Sequence, residues 1–269
     1  MESIFDRLYK LFYDWIIILL RKTLFTLCIM VVFGHTNVRA DDLKTITAQS
    51  WLVADSNGKI LNGKNTDDVR AIASITKLMT VMVVLDAKQP LSEVVSRKLF
   101  NRPLTRRELI ELAIVKSNND AAAILGDSYP GGNKKFVDVM NEKALSLGMI
   151  STFFSDPTGR MHTNTSTAED LIKMVRAAST YPIIVEDSNK DKIVWNESKK
   201  KTLVFPNTNS LVGKGLEFMV SKTGFINKAG GCIVMMLNTD YGIRTVVLLG
   251  SKDTRTRIPE AYTLAQTDF

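Results

Sequence analysis

Three short clusters along the 269-residue chain hold side chains able to do covalent chemistry: Ser74-Ile-Thr-Lys77, Ser117-Asn-Asn119 and Lys222-Thr-Gly224. A serine hydroxyl is a poor nucleophile until a neighbouring base takes its proton. Ser74 and Lys77 stand three apart, so on a helix they share one face. In a first helical turn, Ser74 would also meet backbone N–H groups and a dipole that favour developing negative charge. Lys77 must lose its proton to act as the base, so its pKa must fall. Apolar surroundings lower it, and so does a second cation, for which Lys222 is the candidate. The chemistry implied is acyl transfer through a serine ester.

The other two clusters fit that chemistry to different degrees. Ser117-Asn-Asn119 lies in a polar break after Lys116. One reading is a plain helix-capping turn, where Ser and Asn are favoured. In the other, Ser117 passes the proton to a leaving amine and the Asn119 amide holds the substrate backbone. Lys222-Thr-Gly224 occurs once and falls in an apolar strand, where a lysine facing the core is costly. Gly224 gives a substrate room to approach the backbone, and Thr223 can bind a carboxylate. An extended substrate could then add to this strand. The N–H groups of Ser74 and Phe225 are the candidate oxyanion hole. Spacing alone does not single out Ser74, because Ser56-Asn-Gly-Lys59 and Ser198-Lys-Lys-Lys201 match it too. The first reads as a hairpin turn and the second as a charged run. Neither offers a buried helix start.

The elements that must position these groups change character along the chain. Gln49 to Asp55 and Lys59 to Gly63 flank Ser56-Asn57-Gly58, a strand hairpin. Ala73 to Ala87 is apolar on nearly every face, which predicts a helix buried at the centre of the protein. From about 100 to 180 the pattern is helical. Thr105-Arg-Arg-Glu108 and Ser166-Thr-Ala-Glu169 read as capping boxes, Asp120 as a cap, and Lys134 to Leu147 as a helix stopped by Gly148. The period then shortens: Glu217 to Thr223, Gly231 to Leu237 and Arg244 to Leu249 read as strands, followed by a helix over Arg257 to Ala265. The fold class expected is α+β: one antiparallel sheet built from both termini and flanked by helices, with an inserted helical lobe.

Composition removes several alternatives. Residues 1–22 carry Arg7, Lys10, Arg21 and Lys22, and an apolar run from Thr23 to Phe33 leads to Val38-Arg39-Ala40. This is the pattern of a secretory signal cut after Ala40, the alternative being an uncleaved anchor. The run is shorter than the roughly 20 apolar residues of a membrane span. The domains expected are therefore 1–40 as signal and 41–269 as one catalytic domain. The whole chain has a formal charge of +7, the leader +5 − 3 = +2, so +5 remains after cleavage. That is mild, and nothing tracks nucleic acid. Past Ala40 only Cys232 and His162 remain of their types. No internal disulfide and no His-rich zinc site can be assembled, and Cys232, in an apolar run, reads as a buried thiol.

Ser-x-x-Lys, Ser-x-Asn and Lys-Thr-Gly in this order resemble the signature of the penicillin-recognising serine enzymes. The likeness extends to Ile72-Ala-Ser-Ile-Thr-Lys-Leu-Met-Thr80, Lys116-Ser-Asn-Asn-Asp-Ala-Ala122, Asp156-Pro-Thr-Gly159, Ser166-Thr-Ala-Glu-Asp170 and Ser221-Lys-Thr-Gly-Phe-Ile-Asn-Lys-Ala-Gly230. Together these resemble the low-molecular-mass D-alanyl-D-alanine peptidases, most of all the penicillin-binding protein 7 type endopeptidases. The resemblance implies Ser74 as the acylated serine, Lys77 as its base, Ser117 and Asn119 as the second element, and Lys222 with Thr223 as the substrate-binding strand. Arg257, seven residues past Gly250, resembles a family position that binds the substrate carboxylate. The implied substrate is the stem peptide of peptidoglycan, met in the periplasm, with β-lactams as covalent inhibitors and no cofactor or metal. Membrane contact would come only through an uncleaved N-terminus. A carboxypeptidase is the alternative, followed by a β-lactamase and a non-catalytic wall-binding module. No glutamate-bearing loop like that of the β-lactamases is present, and Glu169 is explained as a capping residue.

Overall fold

The computed structural model describes residues 40–198 and 201–269; the expected signal, residues 1–39 of it, lies outside that range. Two strands, β1 (Ser50–Ala54) and β2 (Ile60–Lys64), form the first hairpin, and β3 (Arg70–Ala71) leads into a 3-10 turn at Ala73–Ile75. Helix α1 (Thr76–Asp86) follows directly. A short pair, β4 (Val94–Ser96) and β5 (Leu104–Thr105), precedes α2 (Arg106–Ile114), α3 (Asn119–Asp127) and α4 (Gly132–Ser146). Then come β6 (Thr165–Ser166), α5 (Ala168–Ala178) and α6 (Pro182–Ser188). A separate hairpin of β7 (Lys192–Ser198) and β8 (Lys201–Pro206) precedes the long strands β9 (Phe218–Ile226), β10 (Gly230–Thr239) and β11 (Gly242–Ser251). Helix α7 (Arg257–Gln266) closes the chain. Among the described residues no helix is long and apolar enough to cross a membrane.

The main sheet has the order β2-β1-β11-β10-β9, antiparallel throughout, so strands from both ends of the chain meet where β1 pairs β11. Side chains alternate across it. Leu52, Val234 and Val247 face the helical side, while Val53, Ile233, Met235 and Val246 face α7. Both faces are therefore dry, which explains why these strands read as nearly continuous apolar runs. Helix α1 is the centre of the helical side: Leu78, Met79, Val81 and Met82 have no exposure. Each such side chain adds about 1.5–3 kcal/mol over leaving it in water. Only this setting gives Lys77, on the same helix, its burial.

Strand β9 is an edge, and an unprotected edge invites uncontrolled pairing. The end of α6 covers its first half. Ser221 N–H donates to Ser188 Oγ at 3.0 Å, and Asn189 pairs with both the N–H and the carbonyl of Phe218. In a strand the N–H groups of alternate residues point to the same edge, so those of Thr223 and Phe225 share the outward side with Ser221.

Several expectations need correction. Asn118, not Asp120, caps α3, its Oδ1 accepting from Ala121 N–H at 2.7 Å. The box expected at Ser166 is shifted by one residue: Thr167 caps α5 and accepts from Asp170 N–H, because Ser166 is drawn into the pairing of β6 with Arg70. Glu169 instead accepts from Thr66 Oγ1 at 2.6 Å. The box at Thr105 and Glu108 forms as expected.

Candidate active site

The serine sits on a turn the chain does not adopt willingly. Ala73 has φ of +48°, a left-handed conformation that costs a non-glycine residue about 1–3 kcal/mol. Four contacts hold it. Ile72 N–H donates to the Asn164 carbonyl at 3.1 Å, and Thr76 Oγ1 donates to the Ala73 carbonyl at 2.8 Å. Two glycines press from either side: a Cβ on Gly159 would lie 2.0 Å from the Ala73 oxygen, and one on Gly224 would lie 2.9 Å from Ser74 N. Gly224 is thus where β9 touches the start of α1, and only a residue without a side chain fits. Ser74 itself is half-buried.

Lys77 is wholly buried, and its Nζ lies 2.8 Å from Ser74 Oγ, 2.8 Å from Asn119 Oδ1 and 2.6 Å from the Thr158 carbonyl. The last two can only accept hydrogen bonds. A neutral amine has two N–H donors and one lone pair, so giving both donors to Asn119 and Thr158 leaves the lone pair facing the Ser74 hydroxyl. Burial lowers the Lys77 pKa to about 7; Asp156 pulls it up and Arg160 pushes it further down. Asp156 also shapes the loop that supplies the carbonyl, accepting from the N–H groups of Thr158 and Gly159 at 2.6 and 2.9 Å.

Lys222, the expected second cation, is coupled to Lys77 by mutual repulsion, and Arg160 adds a further cation that depresses Lys77. Lys222 is itself pushed well below the usual lysine value, first by burial and then by Lys77 and Arg257. Like-charge repulsion from Lys77 and Arg257 adds to the burial of Lys222. Its Nζ donates to the Thr223 carbonyl at 2.9 Å. Thr223 Oγ1 in turn donates to Thr208 Oγ1 at 2.6 Å.

The middle cluster divides its work. Asn118 caps a helix, Asn119 reaches Lys77, and Ser117 is held at φ of +58° with its hydroxyl free of hydrogen bonds to the described residues. The capping reading is met by Asn118, while Asn119 reaches the buried amine of Lys77. Arg257 is buried and its Nη1 donates to the Gly224 carbonyl. Its contact is therefore with the strand backbone. Phe225, next along, is 41% exposed at the open edge. Cys232 is fully buried, and burial pushes its thiol up to about 11.

Ser74, Lys77, Asn119, Lys222, Thr223 and Gly224 therefore converge on the junction of α1, α3 and β9. Sequence reasoning gave no place to the Thr158 carbonyl or to Thr208. A carbonyl has no residue-type signature, and the one available sign was the Asp156-Pro-Thr-Gly159 stretch. Thr208 sits in a loop whose N–H donates to the Val115 carbonyl, a contact invisible in local sequence.

A family model described as D-alanyl-D-alanine carboxypeptidase matches residues 35–252. The D-alanyl-D-alanine endopeptidase of Pseudomonas aeruginosa is 40% identical over 236 residues, covering 81% of this chain and 76% of its own. The D-alanyl-D-alanine endopeptidase of Escherichia coli K12 is also 40% identical, over 240 residues, covering 80% of this chain and 77% of its own. Among solved structures, penicillin-binding protein D2 of Listeria monocytogenes in its cefotaxime-bound form superposes with a TM-score of 0.71 at 27% identity. That match covers 82% of this chain and 96% of the other.

Proposed function

The chain belongs to the D-alanyl-D-alanine carboxypeptidase family, and from that premise we propose a serine D,D-endopeptidase that opens D-alanyl cross-links between peptidoglycan stem peptides. One observation carries the reading: a buried lysine with a pKa of about 7, its donors taken by Asn119 and Thr158, its lone pair turned on Ser74. Neutral Lys77 takes the Ser74 proton as Oγ attacks the D-alanyl carbonyl. The developing oxyanion lies between the N–H groups of Ser74 and Phe225. Ser117 gives its proton to the leaving amine as the peptide C–N bond breaks and takes the proton held by Lys77 in return, which leaves Lys77 neutral, while Asn119 holds the substrate backbone beside Lys77. Water then attacks the ester carbonyl, giving a proton to Lys77, which returns it to Ser74 Oγ as the ester C–O bond breaks, so both residues are restored.

The substrate adds to the open half of β9 at Thr223 to Phe225. Because Ser188 already occupies the edge at Ser221, an added strand must end near Thr223. That suits a leaving group ending in a carboxylate at a D-centre, bound by the Thr223 hydroxyl within the positive field of Lys222 and Arg257. Arg257, fixed on the Gly224 carbonyl, positions the strand. β-Lactams, whose carboxylate and strained amide occupy the same places, acylate Ser74. The endopeptidase reading over the carboxypeptidase one rests on the relatives: the two endopeptidases are 40% identical, whereas carboxypeptidases such as that of Bacillus subtilis (DacF) are 27% identical. Residues 1–40 are proposed as an export signal to the periplasm and 41–269 as the peptidase domain; the reaction needs no metal or organic cofactor.

The test incubates the purified protein with cross-linked muropeptide dimer, with pentapeptide monomer and with labelled penicillin. Loss of dimer without release of terminal D-alanine is expected, together with a stable penicillin adduct. An adduct that survives Ser74→Ala would sink the mechanism, and release of D-alanine alone would select the carboxypeptidase.

A further inference from the structure

Beyond the reacting atoms lies a cavity of about 330 Å³ between β3, β6 and the β9–β10 turn, lined by Arg70, His162 and Lys228 among smaller residues. Its three potential cationic donors have no acidic partner among the described residues, and Arg70 Nε is buried without a hydrogen bond. A guanidinium N–H buried and unpaired has given up its hydrogen bond to water without a replacement. Such a group is usually waiting for an acceptor. The cavity also adjoins the site: Ala71 and Ala229 line it, and both offer their carbonyls to the Cys232 thiol at 3.9 Å. Cys232 pairs in register with Gly224, beside Ser74, and feels the charges of both Arg257 and Arg70.

The direction follows from the reading proposed above, on which this inference rests. With the leaving carboxylate at Thr223 and the scissile carbonyl at Ser74 and Phe225, the acyl half of the substrate runs toward Ile226. Strand β9 continues two residues past Gly224 before turning at 227–229, about 7 Å of added strand. A peptide laid along it reaches the cavity one or two residues upstream of the scissile bond. We propose that this cavity is an anion subsite, in which Arg70, Lys228 and His162 bind a free carboxylate on the acyl-donor stem one or two residues before the D-alanine. Arg70 supplies the inner donor, the exposed Lys228 closes the outer side, and the small Ala71 and Ala229 leave room for the group.

The experiment uses two cross-linked dimers whose donor stems carry, two residues before the D-alanine, either D-isoglutamate or its neutral amide D-isoglutamine. The full protein should cleave the carboxylate form with about tenfold higher kcat/KM. Lys228→Glu and Arg70→Gln should each bring that ratio to near one or below. A wild-type ratio within twofold of one, while penicillin still acylates Ser74, overturns the subsite alone. Equal losses on both dimers in both variants, with the ratio kept, overturn it too, because they report a structural lesion. A protein inert to both dimers and to penicillin overturns the peptidase reading and the subsite with it.

Discussion

The β1–β2 turn and the start of α1 each carry a serine three residues before a lysine. In the turn, Ser56 and Lys59 are exposed, and Asp55 Oδ1 accepts from the N–H groups of Asn57 and Lys59 at 2.8 and 2.9 Å. Its carboxylate is spent on the backbone, and water surrounds the amine. At the start of α1, Lys77 has no exposure and three polar partners at 2.6–2.8 Å. Identical residue types at identical spacing thus give a solvated turn in one place and a buried, hydrogen-bonded pair in the other. What separates them is desolvation, together with acceptors that fix where the lone pair points.

The sharpest way to break that contrast is Ser74→Ala, expected to lower peptidase turnover by about 10⁴-fold or more and to abolish the penicillin adduct. Ser56→Ala should change neither, as gel detection of labelled penicillin would show. Next comes Lys77→Met, with an expected loss of about 10²–10⁴-fold in acylation rate; Lys59→Met should stay within about 0.5 kcal/mol in stability and leave acylation unaffected.

The same lysine gives a pH signature. Because the base acts only when neutral, acylation should fall about tenfold per unit below pH 7 and level off above it. Stability has its own sign. Between about 7 and 10.5 the unfolded chain holds a proton on Lys77 that the folded chain lacks, so this group's contribution rises with pH across that window and is lost as pH falls through 7. Urea unfolding should therefore find Lys77→Met more stable than wild type at pH 7, with the gap closing toward pH 10. A gap that widened with pH would contradict the buried neutral amine.

The smallest effects come from the glycines. Gly159→Ala should destabilise by about 2–4 kcal/mol, because its Cβ would meet the rigid Ala73 carbonyl and its φ is +76°. Gly58→Ala, at φ of +84° but against the mobile end of Arg176, should cost only about 1 kcal/mol. Thermal unfolding measures both.

Much of this was legible in the chain. The apolar continuity of Leu78 to Leu85 indicated the buried helix, and the short apolar runs near 220, 233 and 246, bounded by turn residues, indicated strands buried on both faces. Cap positions moved by two residues to Asn118 and by one to Thr167, since Ser, Thr, Asn and Asp stand side by side there and tertiary pairing chooses among them. The pairing of β7 with β8 was not legible beside the lysine run at 199–201, although Ile193 and Trp195 alternate inward. Within the site, side-chain groups with a chemical type were readable. The Thr158 carbonyl, the Arg257 contact with Gly224 and the charge of Arg160 on Lys77 arise only from long-range packing.

The strained turn at Ala73 bears on when the protein becomes active. Its supports, Gly159 and Gly224, are made 85 and 150 residues after Ser74. A nascent chain therefore exposes Ser74 long before anything can force Ala73 into its left-handed form or bring Phe225 alongside. The setting of Ser74 is completed last, by β9, and a chain lacking that strand lacks one of the contacts that press on the Ala73 turn.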